Sequence, residues 1–103
     1  MSDTPDWDEI MQEASKVELL LKRDATDLNE AEKAMNFFIA SGYDENTMQQ
    51  YLSILSKKPP ERSKQSLRHY RNLDAIWRQW KPKLSGANKA RAWGWGIRLA
   101  KSR

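Results

Sequence analysis

Apolar residues recur at steps of three and four along most of the chain, the spacing that brings them onto one face of an α-helix. No segment alternates between apolar and polar residues as a half-buried strand would. Only four glycines and four prolines interrupt long stretches rich in good helix-forming residues. The pattern therefore predicts an all-α protein.

The first half of the chain predicts two long helices, each with a recognisable start. Thr4 is a candidate N-cap because Pro5 follows it at the first helical position. Asp27 and Glu30 form a capping-box pattern ahead of a second helix, which Gly42 should end. The predicted core stripes of these helices are Trp7, Ile10, Met11, Ala14, Val17 and Leu21, then Leu28, Ala31, Met35, Phe38 and Ile39.

Three shorter signals divide the remainder into three more helices. Asp44 can cap a third helix, which the prolines at 59–60 must end because proline lacks the amide donor that a helix needs. A fourth helix is predicted from residue 63 to about residue 81, where Pro82 ends it, and a fifth from about Gly86 to the C-terminus. A chain of 103 residues fits one core, so we expect a compact single-domain bundle of about five helices over residues 1–103.

Charge divides the chain into two halves. Residues 1–50 hold twelve acidic and four basic residues, whereas residues 51–103 hold fourteen basic and two acidic ones. The acidic N-terminal half thus carries −8 and the basic, tryptophan-rich half +12, although the formal net charge is only +4. Such asymmetry is typical of proteins that bind polyanions. We therefore expect the backbone of RNA or single-stranded DNA as the partner of the basic half.

Basic side chains of the predicted fourth helix share an arc about 80° wide, opposite its apolar stripe. They are Lys64, Arg68, Arg71 and Arg78. An ordinary exposed helix would intersperse acids for i, i+4 pairing, but Asp74 is the only acid in this helix. Such a ridge can follow a phosphate backbone, although a solvated helix surface remains the alternative. His69 falls on the apolar side and is expected to pack rather than to act as a catalyst.

The predicted fifth helix places Trp95 between Gly94 and Gly96, with Arg91 and Arg98 four and three residues away. Glycine inside a helix costs about 1 kcal/mol relative to alanine, so something should compensate for two of them. Either another helix crosses closely here, or Trp95 is exposed to stack on a base while the arginines hold phosphates. The sequence leaves both interpretations open.

Further basic residues surround the turn between these two helices. Lys81 and Lys83 flank Pro82, and Lys89 belongs to the same end of the predicted bundle. We expect phosphate contacts from all three lysines. No helix sets Asn or Gln among arginines near its start as a sequence-specific recognition helix does, so binding should have little base preference.

Residues 65–70 (QSLRHY), the turn at 81–84 (KPKL) and the basic helix that follows resemble the small helical subunit of type III CRISPR-Cas effector complexes. The resemblance covers roughly the last forty residues. It implies a non-catalytic bundle, stacked in copies along a ribonucleoprotein filament, that holds guide and target strands by their backbones. By the match, Arg68, Lys81 and Lys83 would carry this role. The charge division separately allows copies to associate head to tail.

Two other functions remain open. One is a free-standing DNA-binding regulator of phage or plasmid origin, and the other is an acidic protein-interaction or inhibitor module whose N-terminal half mimics nucleic acid. An enzyme is not expected, because one histidine and no cysteine leave no catalytic constellation. We likewise expect no metal and no cofactor. No apolar run approaches the ~20 residues that a membrane-spanning helix needs, so we expect no membrane segment, and the absence of cysteine favours a cytoplasmic location.

Overall fold

Five helices make up the computed structural model, which describes residues 6–57, 64–84 and 86–102 and, of residues 64–66, the backbone alone. They are α1 (Trp7–Arg23), α2 (Leu28–Ala40), α3 (Glu45–Lys57), α4 (Lys64–Gln79) and α5 (Gly86–Ser102). No strand occurs within the described ranges. The radius of gyration of 13.3 Å is that of one compact domain of this length. The predicted all-α bundle is confirmed.

The helices pack as two pairs joined by α2. α1 lies along α5, α3 lies along α4, and α2 contacts α3, α4 and α5. The faces predicted to be apolar meet in the centre, so that Ile10, Val17, Leu52, Leu73 and Ile97 are almost fully buried. The first and last helices are therefore neighbours in space, whereas α3 and α4 are consecutive in the chain.

The start of α1 differs from the prediction. Asp6 is the N-cap and its carboxylate accepts a hydrogen bond from the Glu9 amide at 3.1 Å, so the helix begins at Trp7. Thr4 and Pro5, the predicted start, lie outside the described residues. As the first residue of the helix, Trp7 projects beyond the core and is 48% exposed, which corrects its assignment to the buried stripe.

The start of α2 has only half of the predicted capping box. Asp27 caps the helix by accepting from the amides of Asn29 and Glu30. The reciprocal bond from Glu30 does not form, because the Asp27 amide donates instead to Nδ1 of His69 at 3.0 Å, while Glu30 pairs with Lys33. His69 is thus half-buried between α4 and α2, as a packed histidine should be.

Aromatic rings from three helices form the centre of the core. Trp93 of α5 lies edge-on to Trp77 of α4, with 5.5 Å between ring centres, and Trp80 lies 5.6 Å away. Phe38 of α2 meets Trp77 at 5.1 Å. Aromatic pairs in these arrangements contribute about 0.5–1.5 kcal/mol each beyond the area they bury. This cluster fixes how α4 and α5 face one another.

The polar edges of two of these rings are satisfied inside the bundle. The Trp93 Nε1–H donates to the backbone carbonyl of Ala31 at 3.0 Å, and the Trp80 Nε1–H donates to Glu13 at 2.9 Å. Each bond joins elements more than sixty residues apart in the chain. Because a buried donor without a partner costs about 1–3 kcal/mol, both bonds help to select this packing over others.

Candidate functional site

Arginines line the outer side of α4, as predicted. Arg68, Arg71 and Arg78 are all exposed and lie on the side of this helix opposite the buried Trp77. Arg78 donates to Asp74 at 3.1 Å, the expected i, i+4 pair. No described carboxylate lies within ion-pair distance of Arg68 or Arg71. We call these three arginines the α4 outer face; the side chain of Lys64, predicted to belong with them, lies outside the described residues.

The turn after α4 adds two lysines. Trp80 is buried and anchors the beginning of the turn, while Lys81 and Lys83 are exposed on either side of Pro82. Within the described ranges neither lysine has a carboxylate within 4 Å. Both remain available for the predicted phosphate contacts.

Lys89 is not available, and here the structure corrects the prediction. Its side chain is only 7% exposed and its Nζ pairs with Glu45 of α3 at 2.7 Å. The same nitrogen lies 4.0 Å from the centre of the Trp77 ring, a favourable cation–π distance. Lys89 falls on the inner side of α5, so its charge stabilises the contact between α5 and α3 instead of meeting a ligand.

The outer side of α5 carries the predicted group of one tryptophan and two arginines. Trp95 is 37% exposed, and the guanidinium of Arg98 lies 5.2 Å from its ring centre. Arg91 is exposed and donates to the side chain of Asn88 at 2.6 Å. The predicted proximity of Trp95 and Arg98 is therefore confirmed.

Packing explains one of the two glycines beside Trp95. A methyl group on Gly96 would lie 2.5 Å from Val17, so α1 and α5 cross closely at this residue. One on Gly94 would meet the sulfur of Met35 at 3.0 Å. Of the two interpretations left open, close helix crossing accounts for Gly96, whereas Gly94 faces only the flexible end of the Met35 side chain and Trp95 still reaches the surface.

The cationic residues do not converge on one face. Trp77 of α4 and Trp80, the residue that follows α4, contact Trp93 of α5, so the inner sides of the two helices face each other. On each helix the arginines lie roughly opposite these rings, because residues fall about 100° apart around a helix axis. Arg68 and Arg71 therefore point away from Arg91 and Arg98. The basic residues of α4 and those of α5 therefore form two separate surfaces.

A groove of about 470 Å³ runs between α2 and α5 on the side that carries Trp95. We call it the α2–α5 groove. Its lining includes Met35, Ile39, Tyr43, Gly94, Trp95, Arg91, Arg98 and Glu32. Ile39 was predicted to be core but is 44% exposed, because it lies at the edge of the α2 stripe. The sequence signal that was missed is the breadth of this stripe: apolar residues surround most of α2, more than one core face requires.

Most carboxylates of the acidic half already have a structural role. Of the eleven acidic residues described in this half, nine cap a helix or form an ion pair. The caps are Asp6, Asp27 and Asp44, and the ion-paired acids are Glu13, Glu18, Asp24, Glu30, Glu32 and Glu45. Asp8 and Glu9, in the first turn of α1, are the other two.

The basic residues show the opposite distribution. All four Lys and Arg of the acidic half pair with a nearby carboxylate. In the basic half, Arg78, Lys89 and Lys101 do so. Its other described cations have no ion pair with a described acid, and they are Lys57, Arg68, Arg71, Lys81, Lys83, Arg91 and Arg98. Among the described residues, the uncompensated positive charge is thus on the outer sides of α4 and α5, on the turn between them, and at Lys57 at the end of α3.

No protein-family model, curated protein or solved structure matches this chain. None of the helices in the described ranges is long and apolar enough to cross a membrane.

Proposed function

We propose that the protein is a non-catalytic, largely sequence-independent nucleic-acid-binding subunit, which holds a strand by its phosphate backbone through the α4 outer face. Arg68 and Arg71 supply the main contacts, with Lys81 and Lys83 beyond the end of the helix. The short sequence resemblance given above suggests a ribonucleoprotein effector complex of the CRISPR-Cas type as the setting.

The observation that carries the proposal is the contrast in ion pairing between the two halves. An unpaired surface arginine costs little. Here, however, every basic side chain of the acidic half is paired, whereas seven of the ten described in the basic half are not, and this contrast gives the protein a directional positive field. Arg68 and Arg71 lie about one turn apart on the exposed side of α4, and Arg78 extends the ridge to about 15 Å. That length suits several successive phosphates.

The chemistry of this face also supports binding without base readout. Its charged side chains are arginines, which bind phosphate oxygens in a bidentate manner. Asp74, the acid on its flank, is held by Arg78 and by the Gln49 side-chain amide at 2.6 Å, so it does not extend into the ridge. A strand held in this way contributes its charge and shape, and the affinity should depend strongly on salt.

The experiment is binding of labelled RNA and DNA, single- and double-stranded and about 20 nucleotides long, measured by fluorescence anisotropy across a salt series. Arg68→Glu with Arg71→Glu should reduce affinity by at least about tenfold. Arg91→Glu with Arg98→Glu makes the same change of net charge on the other side and should have a much smaller effect. Equal losses for the two double variants would show a diffuse charge effect and refute the α4 outer face as the site.

The structure bears differently on the other functions that the sequence left open. An acidic module that mimics nucleic acid would need free carboxylates, yet nine of the eleven described in the acidic half are occupied within the chain. Head-to-tail association of copies would have Asp8 and Glu9 as its acidic contacts. A free-standing DNA-binding regulator would use the same α4 outer face, and strong enrichment of one duplex sequence from a random pool would favour it.

A further inference from the structure

The α2–α5 groove combines exposed apolar side chains with arginines in a way that the proposed function does not use. Ile39 and Tyr43 on one wall are 44% and 38% exposed, and Trp95 on the other wall is 37% exposed. Gly94 keeps the floor low, since it adds no side chain between Met35 and Trp95. Apolar side chains that line a concave surface together are typical of a binding site.

The charge of the groove is positive along its α5 side. Arg91 and Arg98 line it and have no ion pair with a described carboxylate. Glu32, the acid in the lining, is paired with Lys101 at 2.7 Å. An occupant would therefore find an apolar floor, one neutralised ion pair and two guanidinium groups.

We infer that the α2–α5 groove is the docking site for an acidic amphipathic helix of a partner protein. Arg91 and Arg98 are seven residues apart on one helix, about 10.5 Å, which is two helical turns. A partner helix with carboxylates seven residues apart would meet both arginines, and its apolar residues at i, i+3 and i+7 would enter the groove. This inference does not depend on nucleic-acid binding by the α4 outer face, because the arginines of α4 and those of the groove point in different directions.

A protein helix fits the groove better than an unstacked base. The lining combines apolar side chains, among them Met35, Ile39 and Trp95, with the guanidinium groups of Arg91 and Arg98 along one side. The apolar side chains of a partner helix can cover the first part while its carboxylates pair with the second. One side of the Trp95 ring is also occupied by Arg98.

The probe is a pair of displayed libraries of amphipathic helices about 18 residues long, selected against the full chain. Their apolar positions vary among Leu, Met, Phe and Trp, and their polar positions are acidic in one library and basic in the other. Acidic helices should be enriched and bind in solution with a Kd in the micromolar range, about 10⁻⁶ M. No enrichment, or equal enrichment of basic helices, would overturn the inference.

Two variants test whether the selected helices bind in the α2–α5 groove. Ile39→Glu should weaken their binding by at least about tenfold, because it puts a like charge on the apolar wall, and Arg91→Glu with Arg98→Glu should do the same. The controls are Ile54→Glu, also an exposed isoleucine on a helix, and Arg68→Glu with Arg71→Glu. Thermal unfolding checks that each variant is folded. Binding that survives Ile39→Glu, or falls equally in the controls, refutes this site.

Two further outcomes would replace the partner helix by another occupant. If the chain alone forms a dimer in sedimentation experiments that Ile39→Glu abolishes and Ile54→Glu does not, the occupant is a second copy. If a single-stranded oligonucleotide displaces the selected helix and loses affinity in Ile39→Glu, the occupant is nucleic acid. Neither outcome alters the test of the α4 outer face, because that test uses different arginines.

Discussion

Gly96 of α5 lies directly against Val17 of α1, so closely that a methyl group on the glycine would be 2.5 Å from the Val17 Cγ1 and 3.0 Å from the Ala14 carbonyl oxygen. Val17 is stiff because it is β-branched, and the carbonyl belongs to the helix backbone. Neither neighbour can move aside. The absence of a side chain at this residue therefore sets the distance between the two helices.

Substitution of this glycine by alanine should destabilise the fold. Gly96→Ala gains about 1 kcal/mol of helix propensity but overpacks the crossing, and we expect a net loss of about 1–3 kcal/mol in the free energy of unfolding. Gly94→Ala is the matched control, because it meets only the flexible end of Met35 and should change stability by less than about 1 kcal/mol. Urea unfolding measures both. Equal effects of the two substitutions would contradict a close crossing at Gly96.

Lys89 should contribute to stability and not to binding. Lys89→Ala removes a nearly buried cation from the face of Trp77 and from the partly exposed Glu45, so the free energy of unfolding should fall by about 2 kcal/mol. Lys101→Ala breaks an ion pair of the same 2.7 Å length whose partners are both exposed, and it should cost no more than about 1 kcal/mol. If the two variants have the same free energy of unfolding, the burial of Lys89 does not contribute to stability.

Removal of the two unpaired arginines of α4 should change the salt dependence of binding. Each lost contact with a single-stranded phosphate lowers the slope of log K against log salt by about 0.7, so Arg68→Ala with Arg71→Ala should lower it by about 1.4. Titrations of one single-stranded RNA at several salt concentrations measure the slope. A weaker affinity with an unchanged slope would mean that these arginines act through the fold and not through phosphates.

Tyr51 should make the protein less stable in alkali. Its ring is stacked on Phe37 at 4.0 Å, and its burial, with a smaller effect of the Glu30 charge, raises the pKa of its hydroxyl above the ordinary value near 10. Because the folded state holds this proton more tightly, the stabilisation is complete below about pH 10 and is lost as the pH rises through the folded-state pKa. Tyr51→Phe should therefore lose less stability than the wild type between about pH 9 and pH 11, as urea unfolding can show. If the free energy of unfolding depends on pH in the same way in Tyr51→Phe and the wild type, Tyr51 is not responsible for the loss of stability.

Much of the local structure could be read from the sequence because the signals are local. Asp27 and Asp44 cap their helices as predicted, since a carboxylate can reach the amides two and three residues ahead wherever the chain turns into a helix. The outer arc of Arg68, Arg71 and Arg78 follows from helical geometry alone. The Asp6 cap shows the limit: several candidate caps near one terminus compete, and spacing does not rank them.

The candidate site depends on contacts between helices, which the spacing of residues along the chain does not show. Lys89 was counted with the surface cations, but an apolar ring and an acid from two other helices enclose it. Ile39 and Tyr43 became a wall of a groove because α5 lies beside α2 without covering them. Such outcomes require knowledge of which helices are neighbours, and neighbours here are often far apart in sequence.

The sequence alone determined that this protein is a bundle of helices with an acidic half and a basic half, because helix propensity, caps and charge are properties of short segments. Only the tertiary structure decided that the cations of α4 and α5 lie on different sides. The cause is the contact of Trp77 and Trp80 with Trp93, which turns the inner sides of the two helices toward each other and their arginines apart.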